Sequence, residues 1–186
     1  MLTIEIPPQS LFDESTAQVW DIENYITLKM EHSLFSVSLW ESKYKVPYID
    51  ENRKRTKEES LFYIKCMVAS VQNQYGQDID IPDYAFYALT NDDIRKIEQY
   101  IMDNRTASWV NDPSDKDQRN SEKITSELIY YWMTIYQIPS EYQYWHLSRL
   151  LMLIRICNVK NSPSKKMSTR ETLDMYRRLN AQRRKK

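Results

Sequence analysis

The sequence predicts a mainly α fold: a single compact helical domain with a short N-terminal β-strand or hairpin and a basic C-terminal helix. A chain of 186 residues, of which 41% are hydrophobic, is long enough to bury one core. It contains a single glycine, Gly76, although hairpin turns and phosphate-binding loops depend on glycine. Four segments also begin with a helix-capping pattern, which favours helices over strands.

The first predicted element is a strand, because "LTIEI" alternates apolar and polar residues and is followed by Pro7 and Pro8. Residues 19–45 are ambiguous, since "YITLKM" suits a strand whereas the apolar residues from Leu34 to Tyr44 fall at helical spacing. We expect a helix from about Glu31 to Tyr44, ended before Pro47.

The remaining elements are predicted to be helices. In each capping pattern a hydroxyl side chain precedes an acidic or amide side chain by three residues, so that the two satisfy free backbone N–H groups reciprocally. The four pairs are Thr56 with Glu59, Thr90 with Asp93, Ser140 with Gln143, and Ser168 with Glu171.

Apolar stripes at helical spacing follow these starts. They comprise Leu61, Ile64, Val68 and Val71; Ile94, Ile97 and Ile101; Ile124 to Ile135, begun near Asn120 or Ser121; residues 144–158; and Leu173, Tyr176 and Leu179. The segments "VQNQYGQDIDIPDYA" and "NDPSDKDQRN" are predicted to be linkers. We therefore predict a helical domain over residues 1–159, with any short strands in 1–30, and a linker with a basic C-terminal helix or arm over 160–186.

The charge of the chain is unevenly distributed, although its formal net charge is zero. Residues 160–186 carry ten Lys and Arg against Glu171 and Asp174, a charge of +8, so residues 1–159 carry −8. An acidic body with a basic tail indicates docking of the tail on an acidic surface, either of its own chain or of a partner.

The chain has two histidines and two cysteines, the number of ligands that a zinc site needs. His146 and Cys157 lie eleven residues apart on one predicted helix, about 16 Å along its axis, which is too far to share a metal or a proton. The pairing of Cys66 with His32 stays open, and the cysteines are more typical of small buried apolar groups. We expect no metal, no cofactor and no catalytic site, because the sequence contains no nucleophile elbow or metal-binding helix signature.

His146 has a simpler interpretation as part of a structural polar group. His146 and Arg149 are three residues apart on the predicted helix, and Glu127 lies on the preceding helix across the "QIPS" turn. We expect these three side chains to pair beside an apolar seam.

Two regions are candidates for binding a partner protein. Trp109, in the loop-like "RTASWVND", is predicted to be an exposed anchor. The basic tail supplies the other candidates: Tyr176, Arg177, Arg178, Arg183, Arg184, Lys185 and Lys186. Clustered Lys and Arg also bind phosphates. The tail has no aromatic residue among them other than Tyr176 and no known DNA-binding motif, so this pattern argues against nucleic acid as a partner.

The stretches "LFDEST", "LKMEHSLFSVSLWESKYKVPY", "ITSELIYYWM", "YWHLSRLLMLIRICNVKN" and "KKMS" leading to "LNAQRRKK" run in order over most of the chain. In these stretches the sequence resembles the tail assembly chaperones of long-tailed bacteriophages. The segment from Ser70 to Leu89 matches that family least. None of the matching stretches is a catalytic signature.

The resemblance implies a non-enzymatic assembly factor in the cytoplasm of the infected host cell. Such chaperones bind the helix-rich tape-measure protein, keep it soluble, and give way as tail-tube protein polymerises around it. Self-association is left open. Two alternatives remain: a structural tail or neck component retained in the virion, and a nucleic-acid-binding accessory protein acting through the basic arm. We expect no signal peptide and no membrane span, because the longest aliphatic and methionine run, Leu150 to Ile154, is five residues.

Overall fold

The protein has a mixed α/β fold, so the prediction of a mainly α fold was wrong. The computed structural model describes residues 1–13, 17–50, 52–80, 83–108 and 123–161, together with Leu173 and Arg177. Most of the predicted linker and C-terminal arm, residues 160–186, therefore lies outside the described residues.

Five strands form two antiparallel sheets within the described part of the chain. They are β1 (Leu2–Ile6), β2 (Gln9–Asp13), β3 (Gln18–Ile22), β4 (Ile26–Met30) and β5 (Val68–Asn73). Strands β1, β4 and β5 form a three-stranded sheet with β4 in the centre, and β2 and β3 form a separate hairpin. The predicted strand "LTIEI" is confirmed as β1.

Five α-helices and two 3₁₀ helices are described. They are α1 (Leu34–Tyr44), α2 (Lys57–Met67), α3 (Asn91–Met102), α4 (Ser126–Ile135) and α5 (Leu147–Asn161), with 3₁₀ helices at Asp83–Ala88 and Ser140–Tyr144. The ambiguous region resolves into both alternatives, since "ITLKM" is strand β4 and α1 follows it, capped by Ser33.

The capping predictions were partly right. Thr56 and Thr90 each form a complete capping box with the residue three positions later. Ser140 instead begins a 3₁₀ helix that has no side-chain cap, and α4 is capped by Thr125, later than the predicted start. The pair at Ser168 lies outside the described residues.

The predicted helical stripe from Leu61 to Val71 was wrong in its second half. Helix α2 ends at Met67 and the chain enters β5 directly, where Val68 lies opposite Met30 and Val71 opposite Leu28. β-Branched residues favour a pleated sheet over a helix, and burial against β4 decides between the two spacings.

The shortage of glycine did not prevent hairpins from forming. Gly76, at φ 75°, lies in the turn that follows β5, but Ala17, at φ 54°, lies in the connection between β2 and β3. Lys45 ends α1 in the same left-handed region, at φ 57°. Non-glycine residues adopt this conformation at a cost of about 1 kcal/mol, which the surrounding structure offsets.

The core lies between the three-stranded sheet and the helices. Leu28 and Met30 of the central strand are fully buried, as are Leu34, Val37 and Trp40 of α1. Leu150 and Ile154 bring α5 into the same core. Among the described residues, no helix is both long enough and apolar enough to cross a membrane.

Candidate protein-binding site

The two histidines of the chain contact each other inside the protein. Their ring centroids are 5.2 Å apart, and His32 and His146 are only 6% and 4% exposed. A β-bridge between Ser33 and His146 brings them together, and the backbone N–H of Leu147 donates to the carbonyl of His32 at 2.7 Å. This histidine centre (His32, His146, Tyr48, Tyr63 and Tyr100) joins the start of α1 to the start of α5.

His32 is neutral and engaged by aromatic neighbours. Its Nδ1 atom is hydrogen-bonded to the Tyr63 hydroxyl, and the ring of Tyr63 lies 4.1 Å from that of Tyr48. The guanidinium of Arg55 lies 3.8 Å from the centre of the Tyr48 ring. Burial, helped by the nearby His146 and Arg55, lowers the pKa of His32 to about 3.

His146 is held by bonds to both of its ring nitrogens. Its Nε2 atom lies 3.0 Å from the carbonyl oxygen of Tyr100, and its Nδ1 atom lies 2.8 Å from the Ser148 hydroxyl. Because a carbonyl only accepts, Nε2 must donate, and in a neutral ring Nδ1 then accepts from Ser148. Burial lowers the pKa of His146, which favours this neutral form.

The histidine centre is structural in character, because both ring nitrogens of His146, Nδ1 of His32 and the Tyr100 hydroxyl are hydrogen-bonded within the protein. Tyr100 continues the network, since its hydroxyl donates to Glu31 at 2.6 Å and Glu31 pairs with the Met1 ammonium at 2.9 Å. Cys66 was a possible partner for His32, but burial raises the pKa of its thiol to about 11, which keeps it protonated. The Nδ1 atom of His32 bonds Tyr63 instead.

The predicted polar group of His146, Arg149 and Glu127 was wrong in its contacts. His146 precedes α5 in the bridge to Ser33, so its ring turns inward. Arg149 lies on α5 with its guanidinium 4.5 Å from the centre of the Trp145 ring. Glu127 is exposed in the first turn of α4, and a bond to its own backbone N–H is the largest of the effects that lower its pKa.

An exposed aromatic face lies where α1, α4 and the second 3₁₀ helix meet. We define the aromatic face as Phe35, Leu39, Tyr130 and Tyr144. The rings of Phe35 and Tyr144 are 5.4 Å apart, and the Tyr130 hydroxyl donates to Oε1 of Gln143 at 2.9 Å. Phe35 and Leu39, one helical turn apart, are 39% and 41% exposed, and Tyr144 is 56% exposed.

The segment that presents Tyr144 is itself held by stacking. The rings of Tyr142 and Trp145 lie 3.9 Å apart and nearly parallel, with Arg149 against Trp145. Exposed aromatic rings on an ordered support contribute contact area at a small entropic cost, which suits protein recognition.

Helix α4 adds a second exposed apolar pair, Tyr131 and Ile135, one turn apart at 60% and 52% exposure. A separate apolar groove of about 400 Å³ lies between α2 and α3 and is lined by Ile64, Ile94 and Ile101.

Most of the predicted partner-binding residues lie outside the described residues. These are Trp109, Tyr176, Arg178, Arg183, Arg184, Lys185 and Lys186. Arg177 is described, and it is helical and exposed. The aromatic face could not be recognised from the sequence pattern, because Phe35 and Leu39 have the same helical spacing as core residues. Only Gln143, between Tyr142 and Tyr144, and the polar Ser140 and Glu141 before them indicated a partly solvated segment.

No group of three or more His, Cys, Asp or Glu side chains in the described part of the chain is placed to hold a metal ion. Comparisons of the whole chain with family models, curated proteins and solved structures find no match.

Proposed function

We propose that this protein is a non-enzymatic tail assembly chaperone that binds a phage tape-measure protein through the aromatic face. The observation that carries the proposal is the face itself. Phe35, Leu39 and Tyr144 are exposed, and the rings of Phe35 and Tyr144 contact each other. Half-buried Tyr130 of α4 completes the face and is hydrogen-bonded to Gln143 of the 3₁₀ helix that carries Tyr144. The family resemblance supplies the identity of the client.

The composition of the face suits a helical client. Phe35 and Leu39 form a ridge along α1, and Tyr144 lies beside Phe35. An amphipathic helix presents apolar residues at the same spacing, so it can lay them against this ridge. Tyrosine hydroxyls at the edge tolerate water, which lets a chaperone release its client without leaving a wholly apolar surface.

The test is co-purification of the full chain with the tape-measure protein, followed by measurement of the dissociation constant. In the variant Phe35→Ser with Tyr144→Ser, two half-exposed rings are lost, each contributing about 1 kcal/mol on complete burial. Together these losses amount to about a thirtyfold increase in the dissociation constant. Client recovered in the soluble fraction should fall in parallel.

A matched control replaces two exposed tyrosines elsewhere, Tyr75→Ser with Tyr87→Ser, which are 78% and 63% exposed. This control should bind and solubilise the client as the wild type does. If wild-type protein leaves the recovery of the client unchanged, the proposed function is wrong. If both variants lose binding equally, the aromatic face is not the binding site.

A further inference from the structure

The hairpin of β2 and β3 presents an uncovered surface that the proposed function does not use. Phe12 and Val19 lie opposite each other across the two strands, on the same side, and are 65% and 59% exposed. Ser10 and Asp21 form the next pair on that side, joined by a 2.6 Å hydrogen bond. The other side of the hairpin packs on the core through Leu11 and Ile22.

The N-terminal segment that contains this apolar pair is acidic. Residues 1–28 contain five Asp and Glu and no Lys or Arg. Glu5, Asp21 and Glu23 are exposed and form no ion pair with any residue that the structure describes. In contrast, Asp50, Asp92, Asp93 and Asp103 all pair with neighbouring Lys or Arg side chains. The hairpin is therefore one part of the body whose negative charge no described ion pair compensates.

The C-terminal segment has the complementary composition. Residues 160–186 carry a charge of +8, and Leu173, Tyr176 and Leu179 follow helical spacing. Leu173 and Arg177, the two residues of this segment that are described, are helical, and Leu173 is 54% exposed. The C-terminal segment and the β2–β3 hairpin thus both combine apolar with charged residues, and their charges have opposite signs.

We infer that the basic segment 160–186 of one copy binds the acidic face of the β2–β3 hairpin of a second copy. The hairpin pair and Leu173 are all exposed within a single chain, so the contact is made between chains. Because the two surfaces differ, the contact is heterologous, and it joins copies head to tail into rings or short filaments. The aromatic face takes no part in it, so client binding and self-association are separable.

The test is sedimentation velocity of the full chain over a range of concentrations, at about 0.05 M and about 1 M salt. We expect concentration-dependent assembly at low salt and its loss at high salt. Two charge-reversed variants, Asp21→Lys with Glu23→Lys and a fourfold Arg/Lys→Glu change at residues 183–186, should each weaken assembly about tenfold or more. The control Asp78→Lys with Asp80→Lys reverses two exposed acids elsewhere and should assemble as the wild type does.

Mixing the two charge-reversed variants identifies the occupant of the hairpin. The hairpin variant keeps a normal tail and the tail variant keeps a normal hairpin, so their mixture should recover assembly. The reversed tail and the reversed hairpin also carry opposite charges, so both kinds of contact can form in the mixture. A mixture that stays monomeric would mean that the tail binds its own hairpin, and the inference would be overturned. Wild-type protein that is monomeric at low salt, or assembly that neither variant weakens, would also overturn it.

The hairpin variant removes the bond between Ser10 and Asp21, so its fold is checked by circular dichroism. The tail variant alters no residue of the described fold and tests the inference even if the hairpin variant unfolds. Client binding by both variants should remain normal, which separates this result from a failure of the proposed function.

Discussion

The histidine centre and the aromatic face are close in sequence but have opposite properties. His146 is 4% exposed, and both of its ring nitrogens have partners, whereas Tyr144, two residues earlier, is 56% exposed. The histidine centre holds the groups that sequence reasoning would search for chemistry, yet its bonds join α1 to α5. The aromatic face holds no reactive group, but its apolar side chains are exposed to solvent. In this protein, the reactive residue types are thus buried and bonded, and the exposed apolar area lies elsewhere.

If this contrast is right, substitutions in the interior lower the free energy of unfolding and leave client binding intact. Substitutions on the aromatic face should weaken client binding and leave the free energy of unfolding nearly unchanged. The largest stability effect is expected at Glu41, which is 6% exposed. Its carboxylate accepts the backbone N–H of Tyr48 at 2.6 Å and that of Ser126 at 2.7 Å. Glu41→Ala leaves both amides without partners and should lower the free energy of unfolding in urea by about 3 kcal/mol.

Glu58→Ala provides the control for Glu41, since Glu58 is an exposed carboxylate in the first turn of α2. It should change the free energy of unfolding by less than about 1 kcal/mol. Equal losses of unfolding free energy in the two variants would contradict this role for Glu41, in which its buried carboxylate joins Tyr48 and the start of α4 to α1.

The histidine centre predicts a loss of stability in acid. The pKa of His32 is about 3 in the folded protein and 6.5 in the unfolded chain, so the unfolded state binds more protons between these values. The stabilisation is complete above pH 6.5 and is lost as the pH falls towards 3. Urea unfolding should show a loss of about 2 kcal/mol from this group on going from about pH 7.5 to about pH 5.

His32→Gln cannot titrate and should be less stable at neutral pH, with a smaller change between the same two pH values. A residual slope is expected, because the pKa of His146 is also lowered. A variant whose pH dependence equals that of the wild type would contradict the account of the histidine centre.

The capping box of α2 predicts an intermediate effect. Thr56 Oγ1 accepts the Glu59 backbone N–H at 3.2 Å, and Glu59 Oε2 accepts that of Thr56 at 3.0 Å. Thr56→Ala should therefore lower the free energy of unfolding by about 1 kcal/mol. Thr134→Ala, which removes an exposed hydroxyl bonded to the Tyr130 carbonyl within α4, should cost clearly less, and thermal melts would show the difference.

The smallest stability effect is expected at the aromatic face. Phe35→Ser with Tyr144→Ser removes one ring contact at the surface and should change the free energy of unfolding by less than about 1 kcal/mol. The same variant should show the largest loss of client affinity. A large loss of stability there would mean that these rings belong to the core.

The sequence pattern predicted the elements whose residues all favour one structure. Strand β1 alternates regularly, and the caps at Thr56 and Thr90 combine propensity with hydrogen bonding. Strand β5 could not be recognised, because Val68 and Val71 continue the helical spacing of α2 and only pairing with β4 distinguishes the alternatives. The β2–β3 hairpin was hidden by its turn, in which Ala17 takes a conformation usually left to glycine.

The candidate site was harder to predict than the fold. His146 was expected at the polar edge of a core helix, paired with Arg149 and Glu127, but a bridge to Ser33, more than one hundred positions earlier, turns it inward. Spacing along a helix indicates which residues share a side and does not indicate which side faces the core. Phe35 and Leu39 therefore became visible as a surface only after α1 was placed against the sheet.

The most direct test of the aromatic face is hydrogen exchange of the full chain with and without the tape-measure protein. We predict slower exchange in α1 and in Ser140–Tyr144 when the client is bound, with the groove between α2 and α3 unchanged. Protection confined to that groove, or to the β2–β3 hairpin, would contradict the assignment of the client site to the aromatic face.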